Sequence, residues 1–339
     1  LERWTMAGLK AAVIGLGVGT GHITAFRELG AEVAAICDVN DKLLESVGED
    51  HGVEGRYTDY RSLAEREDID VVSICTPDHL HADPAVVMME GGKHILVEKP
   101  LASSFADIER ISETARRTGM KVSHGCQIRF GAVFQELKRQ VVAGEFGKVF
   151  YAEADYVSNH INLFQDGWRG QLGSEYNSTG GGAIHPIDVI QWVVDSPAEE
   201  VSAYGNGIAT AEHGLNVTDC VVVIIRFENG CVAKAFTTMG SARPGFRNVQ
   251  VYGTQKTFIE APHPSAHLIS DLETKKWQPL EVSESGHDSR IALISDLLEA
   301  IEEDKEPQLN LEQAVRTASI CVAAFESVRL GKPVKVPKF

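Results

Sequence analysis

From Leu9 to about Arg129, short apolar runs alternate with stretches of helical period. The runs are Leu9–Ile14, Glu32–Cys37, Ile69–Cys75, His94–Glu98 and Lys121–His124. Between them, Thr20–Leu29, Asp41–Glu49, Tyr60–Glu65, Ala82–Glu90 and Phe105–Thr118 space their apolar residues as helices do. This alternation predicts a doubly wound α/β domain, a parallel sheet covered by helices on both faces. Lys10–Ile14 and Val71–Cys75 are small or β-branched and lack in-out alternation, as strands buried on both faces must.

After a helix expected at Ala132–Val142 the pattern changes. Alternating segments separated by turn residues begin at Lys148–Val157 and continue at Glu200–Gly207, Arg247–Tyr252, Lys256–Glu260, His267–Ser270 and Trp277–Val282. They predict an α+β domain on an open, largely antiparallel sheet. The clearest hairpin joins Val217–Phe227 to Cys231–Thr238 through Asn229-Gly230, a pair suited to positive φ angles. A two-residue turn there sets Glu228 opposite Cys231 and Cys220 opposite Met239. Helices at about Asp288–Glu302 and Leu311–Leu330 close the chain. The expected domains are therefore residues 6–129 and 130–339, with the C-terminal helix packing back on the first.

Composition narrows the function. The chain has 339 residues, enough for about two domains, and is 43% hydrophobic and 24% charged. Its 32 basic and 48 acidic residues give a net charge of −16, which repels nucleic acid and anionic membranes and favours a small-molecule ligand. No apolar run approaches the ~20 residues of a membrane-spanning helix, and the start lacks a basic then apolar leader. A cytoplasmic protein is expected. Met6 reads as a natural start, with Leu1–Thr5 an added remnant. The six cysteines stand singly, so reduced thiols are expected, and the predicted hairpin register keeps Cys220 and Cys231 apart.

Gly15-Leu16-Gly17-Val18-Gly19-Thr20-Gly21 follows the first buried strand and opens a helix, where bare backbone N–H groups can face a pyrophosphate. Gly15, Gly17, Val18, Gly19 and Thr20 are the cofactor-binding candidates of this corner. Asp38 ends the second strand, at the distance where an acid hydrogen-bonds a ribose hydroxyl. One departure stands out. The sixth position of Gly-x-Gly-x-x-Gly is Thr20, with glycines on either side, so a loop one residue shorter or a differently packed helix is expected. Asp38 repels a 2′-phosphate and Val39-Asn40 supplies no arginine, which favours NAD over NADP.

At Val97-Glu98-Lys99-Pro100-Leu101 the chain resembles the Gfo/Idh/MocA oxidoreductases, which include glucose-fructose oxidoreductase and inositol dehydrogenase. The resemblance runs nearly end to end. It takes in the glycine loop, Thr76-Pro77-Asp78-His79-Leu80-His81, Gly92-Lys93-His94, Arg129-Phe130, Trp168-Arg169, Gly180-Gly181-Gly182 with His185 to Asp188, and Glu326 to Val334. It implies an N-terminal Rossmann domain, a C-terminal domain with an open sheet, and homodimers or homotetramers formed through that sheet. It also puts Thr76, Pro77, His81, Glu98, Lys99 and Gln127 on the nucleotide side, and Lys99, Arg129, Trp168, Arg169 and His185 on the substrate side.

Lys99 follows a parallel strand, at the edge where open α/β sheets bind ligands, and Pro100 restricts its backbone to extended geometry. The resemblance places it by the nicotinamide and the reacting hydroxyl, where a cation stabilises developing alkoxide while hydride leaves for the ring. The Lys99-Pro100 bond is a candidate cis peptide. His185, before Pro186, is expected at or near a helix N-cap, where the dipole disfavours imidazolium and leaves the ring available as a base. The resemblance makes it the acceptor of the substrate proton, commonly with an aspartate four residues earlier. Here that residue is Gly181. Three arrangements stay open: Asp188 orients the ring, an acid of the preceding loop does so, or Lys99 acts nearly alone.

Trp168-Arg169 reads either as a substrate cover or as a core tryptophan beside a surface ion pair. His79 and His81 lack a third ligand at usual spacing, so no metal is expected. The function these residues point to is hydride transfer between NAD(P) and a secondary alcohol or ketone of a sugar, polyol or related carbohydrate. Its rivals are a glycosidase of the same fold that retains NAD, and a non-catalytic nucleotide-sensing regulator.

Overall fold

The computed structural model describes residues 8–242, 245–260, 267–282 and 288–339, with backbone alone at His267. The reading of Leu1–Thr5 and Met6 lies outside the described residues. The chain divides into two compact units, residues 1–127 with 286–315 and 339, and residues 128–285 with 316–338.

The first unit carries strands β1 (Lys10–Ile14), β2 (Glu32–Cys37), β3 (Gly55–Tyr57), β4 (Val71–Ile74), β5 (His94–Val97) and β6 (Val122–His124). They form a parallel sheet in the order β3-β2-β1-β4-β5-β6. Helices α1 (Leu16–Glu28), α2 (Asp41–Asp50), α3 (Arg61–Ala64), α4 (Ala82–Glu90) and α5 (Phe105–Thr118) link the strands. Val71, Val72, Ile74, Ile95, Leu96 and Val97 are completely buried, each stabilising the fold by roughly 1.5–3 kcal/mol relative to exposure. Because every strand runs the same way, Gly15, Cys75-Thr76, Glu98-Lys99 and Gly125 all emerge at the carboxyl ends of their strands. β3 has no apolar run to announce it: it is a three-residue edge strand, half-buried throughout.

The second unit begins with α6 (Ala132–Val142), followed by β7 (Val149–Val157), α7 (Ile161–Gln165), α8 (Trp168–Leu172), α9 (Ile184–Val194), β8 (Ala198–Asn206) and α10 (Ile208–Ala211). β9 (Cys220–Phe227), β10 (Val232–Thr238), β11 (Phe246–Gly253), β12 (Lys256–Glu260), β13 (His267–Asp271) and β14 (Gln278–Pro279) follow. At the end of the chain come α11 (Ser289–Glu302), which lies in the first unit, then α12 (Leu311–Leu330) and β15 (Val334–Lys335). Nine strands form a sheet in the order β14-β13-β12-β11-β7-β10-β9-β8-β15, antiparallel except for the parallel pair β7 and β10. In β9, Val221, Val223, Ile225 and Phe227 turn inward while Val222 and Ile224 stay partly open, a two-residue period with one covered face.

Three expectations change. α1 starts at Leu16, not Thr20, because Gly15 turns the chain at φ 87° directly off β1. The Asn229-Gly230 hairpin has a three-residue loop: Phe227 N–H donates to Cys231 O, and Asn229 Oδ1 accepts from Cys231 N–H. Val221 therefore pairs with Thr237, which sets Cys220 opposite Thr238 rather than Met239, and both cysteines are free thiols. Finally, α11 belongs to the first unit, while α12 continues from it into the second at Arg316. α11 lies on α1, with the Arg290 guanidinium occupying the space a side chain at Gly21 would need.

Candidate active site

The corner between β1 and α1 is shaped by missing side chains. A Cβ on Gly15 would lie 2.6 Å from Cys75 O and 2.8 Å from Thr76 N, and φ there is +87°. A Cβ on Gly17 would meet nothing within 4 Å, so bare backbone faces open space. A Cβ on Gly19 would lie 2.7 Å from Val13 Cγ1, so its absence lets α1 settle against β1. Gly19 thus does the packing work of the third fingerprint glycine one position early, which resolves the departure at Thr20. Thr20 turns inward on its own helix, its hydroxyl donating to Gly17 O. Val18 is half exposed.

Asp38 Oδ2 accepts from Leu16 N–H at 2.8 Å and Oδ1 from Asn40 N–H at 2.9 Å. The carboxylate is pinned at the helix start with lone pairs remaining for a ribose hydroxyl. Leu16 N–H is used by Asp38, which leaves the N–H groups of the next residues for a diphosphate. An open glycine corner with an anchored acid beside it fits a dinucleotide.

Lys99 follows β5, and its peptide bond to Pro100 is cis. Glu98 Oε2 accepts from Lys99 N–H at 3.0 Å, while Oε1 lies 3.1 Å from His22 Nε2. His22 Nδ1 is 2.8 Å from the hydroxyl of Ser73 on β4. Burial pushes the His22 ring toward neutrality, but its interactions with Cys75 and Glu98 outweigh this and hold its pKa above the ordinary histidine range. Burial likewise pushes Glu98 up, and its bond to His22, with Lys99 beside it, holds it below the usual carboxylate range.

His81 is fully buried, with Nδ1 2.6 Å from Pro100 O and Nε2 2.8 Å from Thr76 O. This corrects the expectation that it lines the nucleotide. Both ring nitrogens face backbone carbonyls, so the residue braces the turn at Thr76 and Pro77 against the Lys99-Pro100 bond. Thr76 closes that turn by donating to Leu80 O. Gln127 opens a short helical turn and is half-buried.

In the second unit His185 is not an N-cap. A π turn at Thr179–Ala183 runs directly into α9, and the helical run passes through His185 and Pro186. Pro186 has no N–H to give the ladder, and the glycines of the widened turn offer no side chain against its ring. From Gly182 to Val194 every residue is buried except His185. The His185 ring lies 4.9 Å from that of Tyr156 on β7. At Gly181, one turn earlier, a side chain would overlap the Tyr176 hydroxyl. Tyr176 is buried, held edge-on by Phe164 at 5.5 Å and Trp168 at 5.9 Å. Arg169 stacks on the other partner, 4.5 Å from the centre of the Trp168 ring.

Asp188 and Arg129 do not take the places expected of them. The Arg129 Nε donates to Asp188 Oδ2 at 2.9 Å and its NH2 group to Oδ1 at 2.5 Å, with both residues at most 1% exposed. Thr317 Oγ1 also donates to Asp188 Oδ1, and the guanidinium lies 5.2 Å from the Trp192 ring centre. This is a buried bidentate ion pair stitching residues 129, 188, 192 and 317 together. The geometry withdraws Asp188 as the catalytic partner of His185 and Arg129 as a substrate ligand, because both oxygens and the guanidinium fork are engaged inside the protein.

Residues 9–126 match the oxidoreductase family with an NAD-binding Rossmann fold, and residues 138–336 match the C-terminal alpha/beta domain of the same family. The chain belongs to the Gfo/Idh/MocA oxidoreductase family. Myo-inositol 2-dehydrogenase of Thermotoga maritima is 24% identical over 97% of this chain and 98% of its own length. The scyllo-inositol 2-dehydrogenase (NAD(+)) of Bacillus subtilis is 25% identical over 97% of this chain and 96% of its own. An Agrobacterium radiobacter oxidoreductase, solved with NAD+, L-tartaric acid and magnesium, superposes with a TM-score of 0.84 at 19% identity, covering 97% of this chain and 99% of that one.

Two groups near these Gfo/Idh/MocA positions escaped sequence reasoning. His22 looks like one more helical residue until its ring is found against Glu98, 76 residues away in the chain. Tyr176 sits in a loop without period, and nothing local ties it to Gly181.

Proposed function

We propose that the protein is an NAD-dependent dehydrogenase or reductase acting on a secondary alcohol of a sugar, polyol or related carbohydrate. The observation that carries this reading is Lys99, standing at the carboxyl edge of the parallel sheet with its N–H fixed by Glu98, in a chain whose glycine corner fits a dinucleotide. The inositol dehydrogenases among its relatives support the substrate class. Asp38, with no arginine following it, supports NAD rather than NADP.

The bound cofactor supplies a two-electron hydride acceptor or donor. The Lys99 ammonium stabilises charge developing on the substrate oxygen, an interaction stronger in the transition state than in the bound alcohol. His185, the accessible residue of an otherwise buried helix stretch, takes the hydroxyl proton as the carbon–hydride bond breaks. Tyr176 takes the side-chain space at Gly181 and holds the surroundings of His185 in place of an acid. Trp168, packed on Tyr176, gives an apolar wall for a sugar ring.

A panel of sugars, inositols and sugar acids with NAD, followed by absorbance of the reduced cofactor, tests the reading. Stoichiometric NADH with at least one polyol is expected. Cleavage of a glycoside without net NADH supports the glycosidase instead, and cofactor binding without any turnover supports the regulator.

A further inference from the structure

Within the first unit, three elements meet at one buried polar chain. Ser73 of β4 contacts His22 of α1, His22 contacts Glu98 after β5, and Glu98 holds the Lys99 N–H. His22 is 1% exposed and Ser73 fully buried, so no solvent stands in for these partners. The room for the carboxylate is built in: a Cβ on Gly125, just past β6, would lie 2.8 Å from Glu98 Oε2 and 3.0 Å from Lys99 N. A carboxylate can only accept, so His22 Nε2 must carry the proton on the Glu98 side. Ser73 serves Nδ1 with either polarity, since its hydroxyl donates or accepts, and it also lies 3.5 Å from Cys75 Sγ.

We infer that His22 is a positioning residue for Lys99: through Glu98 it fixes the backbone from which the lysine side chain projects, and it ties that backbone to the glycine helix. The inference rests on the proposed role of Lys99 at the reacting oxygen. Two properties follow from the geometry. The link is directional, needing a donor where Nε2 stands and not where Nδ1 stands. It is also local, because Asp38 and the first turn of α1 are held by bonds of their own. Loss of His22 should therefore disturb Lys99 far more than dinucleotide binding.

The test compares H22N, whose amide nitrogen falls near Nδ1, with H22Q, whose amide nitrogen reaches toward Nε2. In H22N the Lys99 amide should exchange with deuterium about tenfold faster or more, while amides of β1 and α5 keep their protection. Its kcat should fall about 10- to 100-fold, as expected when a reacting group is misplaced, with the Kd for NADH within about threefold. H22Q should restore most of both. Unchanged Lys99 exchange in H22N, or equal losses in H22N and H22Q, overturns the inference. If H22N does not fold, nitrogen NMR of the His22 ring in the intact protein decides: a proton on Nε2 at pH 7 supports the link and a bare Nε2 overturns it. If wild type turns over no alcohol, the proposed function fails, and the exchange and NMR readouts still judge the His22 link.

Discussion

The glycine corner of the first unit and the start of α9 in the second are both helix entrances, built in opposite ways. At the corner, the shape is set by the backbone. Gly15, Gly17 and Gly19 each remove a side chain for a different reason, and Asp38 arrives from the neighbouring strand to fix the helix start. At α9, side chains from distant parts of the chain converge: Tyr156, Tyr176 and Trp168 around the π turn, and Arg129 and Thr317 on Asp188. A backbone entrance tolerates surface change but not a Cβ at Gly15 or Gly19. A side-chain entrance tolerates small backbone shifts, but it fails when one remote partner is lost.

The largest effect expected from breaking this contrast is on chemistry. Lys99→Ala should lower kcat roughly 100- to 1,000-fold, the range seen when one charge-stabilising donor is removed, while NADH binding by fluorescence stays within about twofold. A parallel loss of binding would place Lys99 in the dinucleotide's hold rather than in turnover. Next comes stability in the second unit. Arg129→Ala leaves the Asp188 carboxylate buried without its bidentate partner and should cost about 3–5 kcal/mol in denaturant unfolding. The double change R129M/D188L should recover most of that, since an apolar pair leaves no orphaned charge. If R129A unfolds like wild type, the pair does not hold α9.

Smaller still is Tyr176→Phe, which keeps the packing on Phe164 and Trp168 and removes only the hydroxyl. A fall in kcat of about tenfold or less is expected from removing a hydroxyl that fills the space beside Gly181, one turn before His185, with little change in melting temperature. Equal kcat would leave Tyr176 as packing alone.

The smallest expected effect belongs to Asp296 on α11, whose pKa is pushed up to about 6 by burial, against the pull of the Gln308 and Leu309 N–H groups. A carboxyl whose folded pKa is raised favours the fold below its unfolded value near 4 and loses that contribution as pH rises through about 6. Asp296→Asn keeps an acceptor for Gln308 N–H and should stabilise by about 1 kcal/mol at pH 8 but not at pH 4. Equal melting shifts at the two pH values would contradict that assignment.

The same contrast governs how far the sequence could be read. The parallel strands, the glycine corner and Asp38 are local patterns, each visible within a few residues. The extra strand β3 was invisible because an edge strand of three half-buried residues needs no apolar run. Pro186 suggested a helix start at His185, yet the helical run begins at Thr179 because the glycines permit a π turn. Asp188 looked like a partner for His185 by spacing along one helix. Its true partners, Arg129 and Thr317, are 59 and 129 residues away in the chain. Spacing reveals neighbours on one element, and burial decides among partners that only folding brings near.

The proposed dehydrogenase first requires that a dinucleotide dock on the corner formed by Gly15, Gly17, Gly19 and Asp38. Calorimetric titration of purified, cofactor-stripped protein with NADH and with NADPH tests it most directly. Saturable one-to-one binding, tighter for NADH, is expected, as is its loss when Gly17 is replaced by a bulky residue in protein that remains folded. Absence of heat with either nucleotide, or unaltered binding in the Gly17 variant, would contradict it.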